Sequence, residues 1–108
     1  MATLVIRQFD VCRNPGATNS GDAPYVCVLQ SHYLHAIDTV LVAPLLRHRA
    51  EATADQVAVP VRIGEESLLL DAALMTNIDR RSLGRPLASL TGQEDEIRRA
   101  LDRLFTGF

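Results

Sequence analysis

The sequence predicts a mainly β domain closed by a C-terminal α-helix, on three observations. Val57, Val59, Val61 and Ile63 alternate with Ala58, Pro60 and Arg62, the period of a half-buried strand. Ile97, Ala100, Leu101, Leu104, Phe105 and Phe108 recur at helical spacing and line one stripe, with Arg98, Arg99, Asp102 and Arg103 opposite. Asn14 to Asp22 is dense in Gly, Pro, Asn, Ser and Asp, a loop between two apolar segments.

Taken in order, Thr3 to Val11 reads as an apolar-rich first strand and Tyr25 to Ser31 as a second. Leu41 to Leu46 is a third apolar run. Arg47 to Gln56 is polar and Ala-rich, and fits either a long loop or a short surface helix. In the strand over 57–63, Pro60 has no amide hydrogen, which places that strand at a sheet edge or at a bulge. Gly64-Glu65 fits a two-residue turn with Gly supplying positive φ at its first position, leading into Ser67 to Asp71. Leu74, Thr76 and Ile78 suggest a further strand, and Leu83 to Leu90 a last short one broken by Pro86. Thr91 and Glu94 have the spacing of a capping box at the start of the helix. The stripe reads as core over its first three turns. An aromatic as large as Phe108 after the packed turns needs the protein itself or a partner to cover it.

The chain has 108 residues, enough for one domain (1–108) with a single modest core. At 47% hydrophobic and 22% charged it is globular in composition, and a net charge of -2 gives no basic field for nucleic acid. No apolar run approaches the roughly 20 residues of a membrane span. The start shows no signal peptide, and two irregularly spaced cysteines suit a reducing cytoplasm, so a cytoplasmic protein without a membrane partner is expected.

Reactive groups are few. His32 and His35 have no carboxylate or cysteine at a ligand-like spacing, so no metal and no cofactor are expected. Cys12 and Cys27 read as small buried hydrophobes, and no base is recognisable beside either. Arg80-Arg81 and Arg98-Arg99 read as solvated pairs, with Asp95 and Arg99 spaced for an i,i+4 contact. No catalytic constellation assembles, so the chain reads as a binder and not an enzyme.

Several segments carry a resemblance that spans nearly the whole chain. Leu41-Val-Ala-Pro-Leu-Leu46 looks like a "V-x-P-L" strand, and Val59-Pro-Val-Arg-Ile-Gly-Glu-Glu-Ser67 like a "P-V-V-x-I-G-D-E-S" hairpin. Leu90 to Phe108 looks like an "L-S-x-x-E-x-D-I…A-I…M-F-W-G-I" helix. These are motifs of the CcdB family of toxins from bacterial toxin–antitoxin pairs. The resemblance implies an SH3-like small barrel, an antiparallel sheet with the terminal helix packed against it. It also implies a homodimer that presents both helix ends together, enters the GyrA subunit of DNA gyrase and traps the enzyme on cleaved DNA. A CcdA-type antitoxin would neutralise it, and the pair together would bind operator DNA and repress their operon.

Carried over by position, the gyrase-binding residues are Thr106, Gly107 and Phe108, with Arg103 one turn back and Tyr33 and Leu34 after the second strand. The chain departs from the pattern at Thr106, where the family has tryptophan, and at Phe108, where it has isoleucine. Three alternatives accompany this reading: a degenerate homologue that binds antitoxin and represses only, an RNA-cleaving toxin on the same fold, and a toxin redirected to another topoisomerase or partner.

Overall fold

The structure, a computed structural model, describes residues 5–16, 22–31, 37–47 and 57–107. Within them run β1 (Asp10–Arg13), β2 (Tyr25–Val28), β3 (Thr39–Leu46), β4 (Ala58–Ile63), β5 (Glu66–Asp71), β6 (Thr76–Asp79), β7 (Ala88–Ser89) and one α-helix, α1 (Glu94–Thr106). The strands form one antiparallel sheet in the order β4-β5-β3-β2-β1-β7, with β6 also paired to β3. The sheet curls into a half-barrel and α1 packs into it, as the expected mainly β fold with a C-terminal helix requires.

The curl follows from β3. Its first half pairs with β6, Thr39 opposite Asp79, and its end pairs with β5, Leu45 opposite Leu70. The two registers differ by three residues, absorbed by a single 3-10 turn at Ala72–Leu74. Asp71 is buried because its carboxylate caps that turn, accepting the Ala73 N–H at 3.0 Å. A buried carboxylate stays only where it is so bonded.

Side-chain alternation splits the core across the sheet. Val11, Cys27, Ala43, Leu45, Val59, Val61, Leu68 and Leu70 face α1 and meet Ile97, Ala100 and Leu90. Cys12, Val26, Val28, Val40 and Val42 face the other way, under Ile6 and Leu83. Both faces of the central strands are therefore covered, which is why β1 to β3 read as near-continuous apolar runs. The two cysteines lie on opposite faces and are free thiols.

Four local expectations are corrected. Among the described residues the first strand begins at Asp10, because the chain turns at Arg7–Asp10; Thr3 and Leu4 lie outside them. At that turn Asp10 Oδ2 accepts the Arg7 N–H at 2.9 Å, and Phe9 takes φ 71°. A left-handed Phe costs roughly 1–2 kcal/mol, offset here by a ring buried in the helix-side core and covered by the Arg98 guanidinium 5.5 Å from its centroid. The capping box does not form: Thr91–Gln93 is a 3-10 turn, and the Thr91 N–H goes to the Ser89 hydroxyl at 3.3 Å and not to the Glu94 carboxylate, which takes Arg98 instead. The second strand ends at Val28, and Leu74 belongs to the 3-10 turn before β6. Residues 48–56, read as loop or helix, lie outside the described residues.

Pro60 sits where expected, on an end strand of the sheet. Gly64 takes φ 61° and Glu65 keeps negative φ, so the hairpin turn has the strained residue first, with Ile63 opposite Glu66.

Candidate functional site

The described members of the sequence-predicted site, Arg103, Thr106 and Gly107, lie at the end of α1. Its acidic first turn, Glu94, Asp95 and Glu96, suits the positive end of the helix dipole, and Glu94 pairs with Arg98 at 2.8 Å. Ile97 and Ala100 are fully buried, and Leu101 is half-buried against the same core. The stripe then leaves the body. Leu104 is 37% exposed and Phe105 70%, so the core reading holds for two turns and not for three.

Gly107 ends the helix in left-handed geometry, φ 81° and ψ 11°, with its N–H bonded to Arg103 O at 2.9 Å. Apart from its own helix and chain neighbours, no described atom lies within 4 Å of where a Cβ would stand, so the requirement for glycine is conformational. Thr106 donates its hydroxyl to Asp102 O at 2.6 Å and turns its polar atom back onto its own helix. The tip that results has Arg103, Leu104, Phe105, Thr106 and Gly107 all exposed. Of the residues carried over by position, Arg103, Thr106 and Gly107 are thus together; Phe108, Tyr33 and Leu34 lie outside the described residues, as do His32 and His35.

Phe105 was missed as a site residue by sequence reasoning. Periodicity assigns it the same stripe as Ile97, and only the shape of the platform under the helix separates the two. The single available signal was its place one residue before Thr106.

Elsewhere the chemistry is quiet. Burial, then the Asp10 charge, pushes the Cys12 thiol up to about 11; burial, then Asp10 and Cys12, pushes Cys27 up to about 12. Such thiols stay protonated and unreactive at neutral pH. Asp79 holds Arg81 through both carboxylate oxygens, and these hydrogen bonds lower the Asp79 carboxyl and raise the guanidinium. Among the described residues no three His, Cys, Asp or Glu side chains stand close enough to hold a metal ion. No described helix is long and apolar enough to cross a membrane.

The same curled antiparallel half-barrel with a terminal helix is found in solved structures. The Mycobacterium tuberculosis toxin MazF-mt6 superposes with a TM-score of 0.69 at 20% identity, over 92% of this chain and 96% of that one. A chain of a MazE–MazF structure from Deinococcus radiodurans does so at 0.66 and 17%, over 96% and 98%. A third structure, titled as an Mtb toxin, gives 0.65 and 22%, over 77% and 92%. At these identities the likeness is one of fold. No curated protein matches the sequence. The model of the family described as CcdB protein matches residues 8–107, and the chain belongs to that family. It is a toxin of the toxin–antitoxin kind.

Proposed function

We propose that the protein is a homodimeric gyrase poison held in check by a CcdA-type antitoxin, and that the tip of α1 is the part that enters the GyrA subunit of DNA gyrase. The observation that carries this reading is Phe105: a large aromatic, 70% exposed, on a helix that outruns its platform and is stopped by Gly107. Exposed apolar tips of this kind mark interaction sites.

A monomer offers one such tip. A twofold dimer offers two related by the axis, which can address a twofold target with each contact repeated. On this reading the protein acts by binding: no described residue of the tip is paired with a base or nucleophile, so inhibition comes from stabilising one state of the target. Arg103 and Gly107 flank the anchor, the first for acidic or phosphate groups and the second for close backbone approach. Thr106, bonded to its own helix, supplies little area where an indole would supply much, so this chain is a weak member of its family. With the antitoxin bound, the pair would act on operator DNA.

Controlled expression in a bacterium, followed by measurement of gyrase-linked linear DNA, tests the reading. Native protein should arrest growth and give cleaved DNA, and deletion of Thr106 to Phe108 should abolish both while leaving the fold intact. Thr106→Trp should raise potency. If native protein and Thr106→Trp are both inert toward a sensitive gyrase, the poison reading is wrong and the antitoxin-binding repressor takes its place. Cleavage of labelled RNA by the purified protein would instead establish the ribonuclease alternative.

A further inference from the structure

Arg98 and Arg99 are a single basic pair in the sequence, and the structure separates them. Arg99 is exposed. Arg98 reaches over the Phe9 ring, its guanidinium carbon 5.5 Å from the ring centroid, and its Nε donates to the Glu94 carboxylate at 2.8 Å. A cation so placed is attracted by the face of the ring, and the carboxylate one turn back holds it there.

The residue beneath it is the one non-glycine residue of positive φ, 71°, among the described residues. Such backbone strain persists only where the surroundings enforce it, and it collects at places with a task. Phe9 is enforced from three sides. Its N–H donates to Val28 O at 2.7 Å, its carbonyl accepts the Leu90 N–H at 2.8 Å, and its ring is buried in the core under α1. It is a fixed seat, tied both to β2 and to the segment that leads into the helix.

The helix has need of one. Of its 13 residues only Ile97 and Ala100 are buried, with Leu101 half-buried beside them. That is a narrow footing, and by itself it constrains the tilt of a helix weakly. Two contacts flank it: Gln93 Nε2 to Pro60 O at 2.8 Å, and Arg98 on Phe9. Gln93 precedes the helix, so Arg98 is the flanking contact made from within it. Arg98 is also in line with the tip. Phe105 lies seven residues on, within about 20° of the same line along the helix and about 10 Å further along its axis. A swing of about 10° at Arg98 moves Phe105 by roughly 2 Å, enough to spoil a shape-matched contact.

We propose that Phe9 and Arg98 form a clamp that sets the direction in which α1 leaves the sheet, and that Arg98 is a positioning residue for the tip. The effect of the clamp on a target rests on the proposed role of the tip, whereas its effect on α1 does not.

The test takes two readouts on the whole chain. One is the orientation of α1 relative to the sheet, from residual dipolar couplings of the backbone amides. The other is the dose that arrests growth and gives gyrase-linked DNA cleavage. Arg98→Met keeps the apolar stem and removes the guanidinium. It should reorient α1, leave the urea midpoint near native, and raise the effective dose about fivefold, the order of a cation–ring contact. Arg98→Lys should recover most of both readouts, because a cation remains over the ring. Phe9→Leu should release the clamp from the other side, and adding Arg98→Met to it should change little further. Arg99→Ala should match native protein. Unchanged α1 couplings in Arg98→Met, additive effects of the Phe9 and Arg98 substitutions, or a rise in dose no larger than lost stability explains would overturn the proposal. The Arg98 variants decide it even where Phe9→Leu does not fold. A reoriented helix in a protein that never acts on gyrase would uphold the clamp and remove the gyrase reading, so the two fail separately.

Discussion

Truncation of Phe105 to alanine separates a binding tip from a structural helix end. Phe105 is 70% exposed. An aromatic side chain presents roughly 200 Å², so about 60 Å² of it is covered in the fold, worth at most about 1.5 kcal/mol at about 25 cal/mol per Å². The remaining roughly 140 Å², if buried on a target, is worth about 3.5 kcal/mol, a few hundredfold in affinity. Ile97→Ala supplies the opposite case. Ile97 is fully buried between Leu90, Ala100 and the strand residues, and its truncation should cost about 2–5 kcal/mol of fold stability. Urea denaturation and growth arrest, measured on both variants, should therefore rank them in opposite orders. Phe105→Ala should keep a near-native midpoint and lose toxicity, whereas Ile97→Ala should lose stability first. Equal losses of stability would mean that the end of α1 is packed and that the tip reasoning fails.

Other expectations follow from single residues. Gly107→Ala meets no clash but must hold φ near 81°, so it should cost about 1 kcal/mol and fray the last turn, visible in helical circular dichroism. Gln93→Ala removes the bond to an exposed Pro60 carbonyl that water can replace, so stability measured by denaturation should fall by no more than about 1 kcal/mol. The folded thiols hold protons that the unfolded chain releases from pH about 9. Stability from this source is therefore complete below that value and declines as pH rises toward about 11 and 12. A thiol reagent at pH 8 should accordingly label Cys12 and Cys27 only after denaturant is added, and rapid labelling of native protein would contradict their burial.

What could be foreseen depended on the range of the interaction. Pro60 and Gly64 were legible because their chemistry is local: a missing amide and a positive φ act within one strand or turn. The start of β1 was not legible, since nothing in Thr3 to Val11 forbids a continuous strand. The break comes from Phe9, held in left-handed geometry by a core and an Arg98 that are remote in sequence. The capping box failed because Ser89, arriving on β7, offers its hydroxyl to the same N–H. For the candidate site, the stripe located the correct helix face but could not give the length of the sheet beneath it. Thr106, Gly107 and Arg103 came from the family resemblance, while Phe105 emerged only from exposure.

The pairing of β1 with β7 sets an order of events in time. Val11 stands opposite Ala88, and Leu90 N–H reaches Phe9 O at 2.8 Å, so this closure joins distant parts of the sequence. The β4–β5 hairpin closes over two residues and can form in microseconds, whereas the β1–β7 contact must overcome the loop entropy of most of the chain. The helix follows β7 after the Thr91–Gln93 turn; β4 and the 72–74 turn carry part of it, and Phe9, Val11 and Leu90 complete its floor only when that contact is made. The part that carries the tip is therefore the last to be assembled and the first to detach in local opening. In native-state hydrogen exchange, β7 and α1 should release together, ahead of β4 and β5. A toxin built this way acquires its business end only when the rest of the domain is already in place.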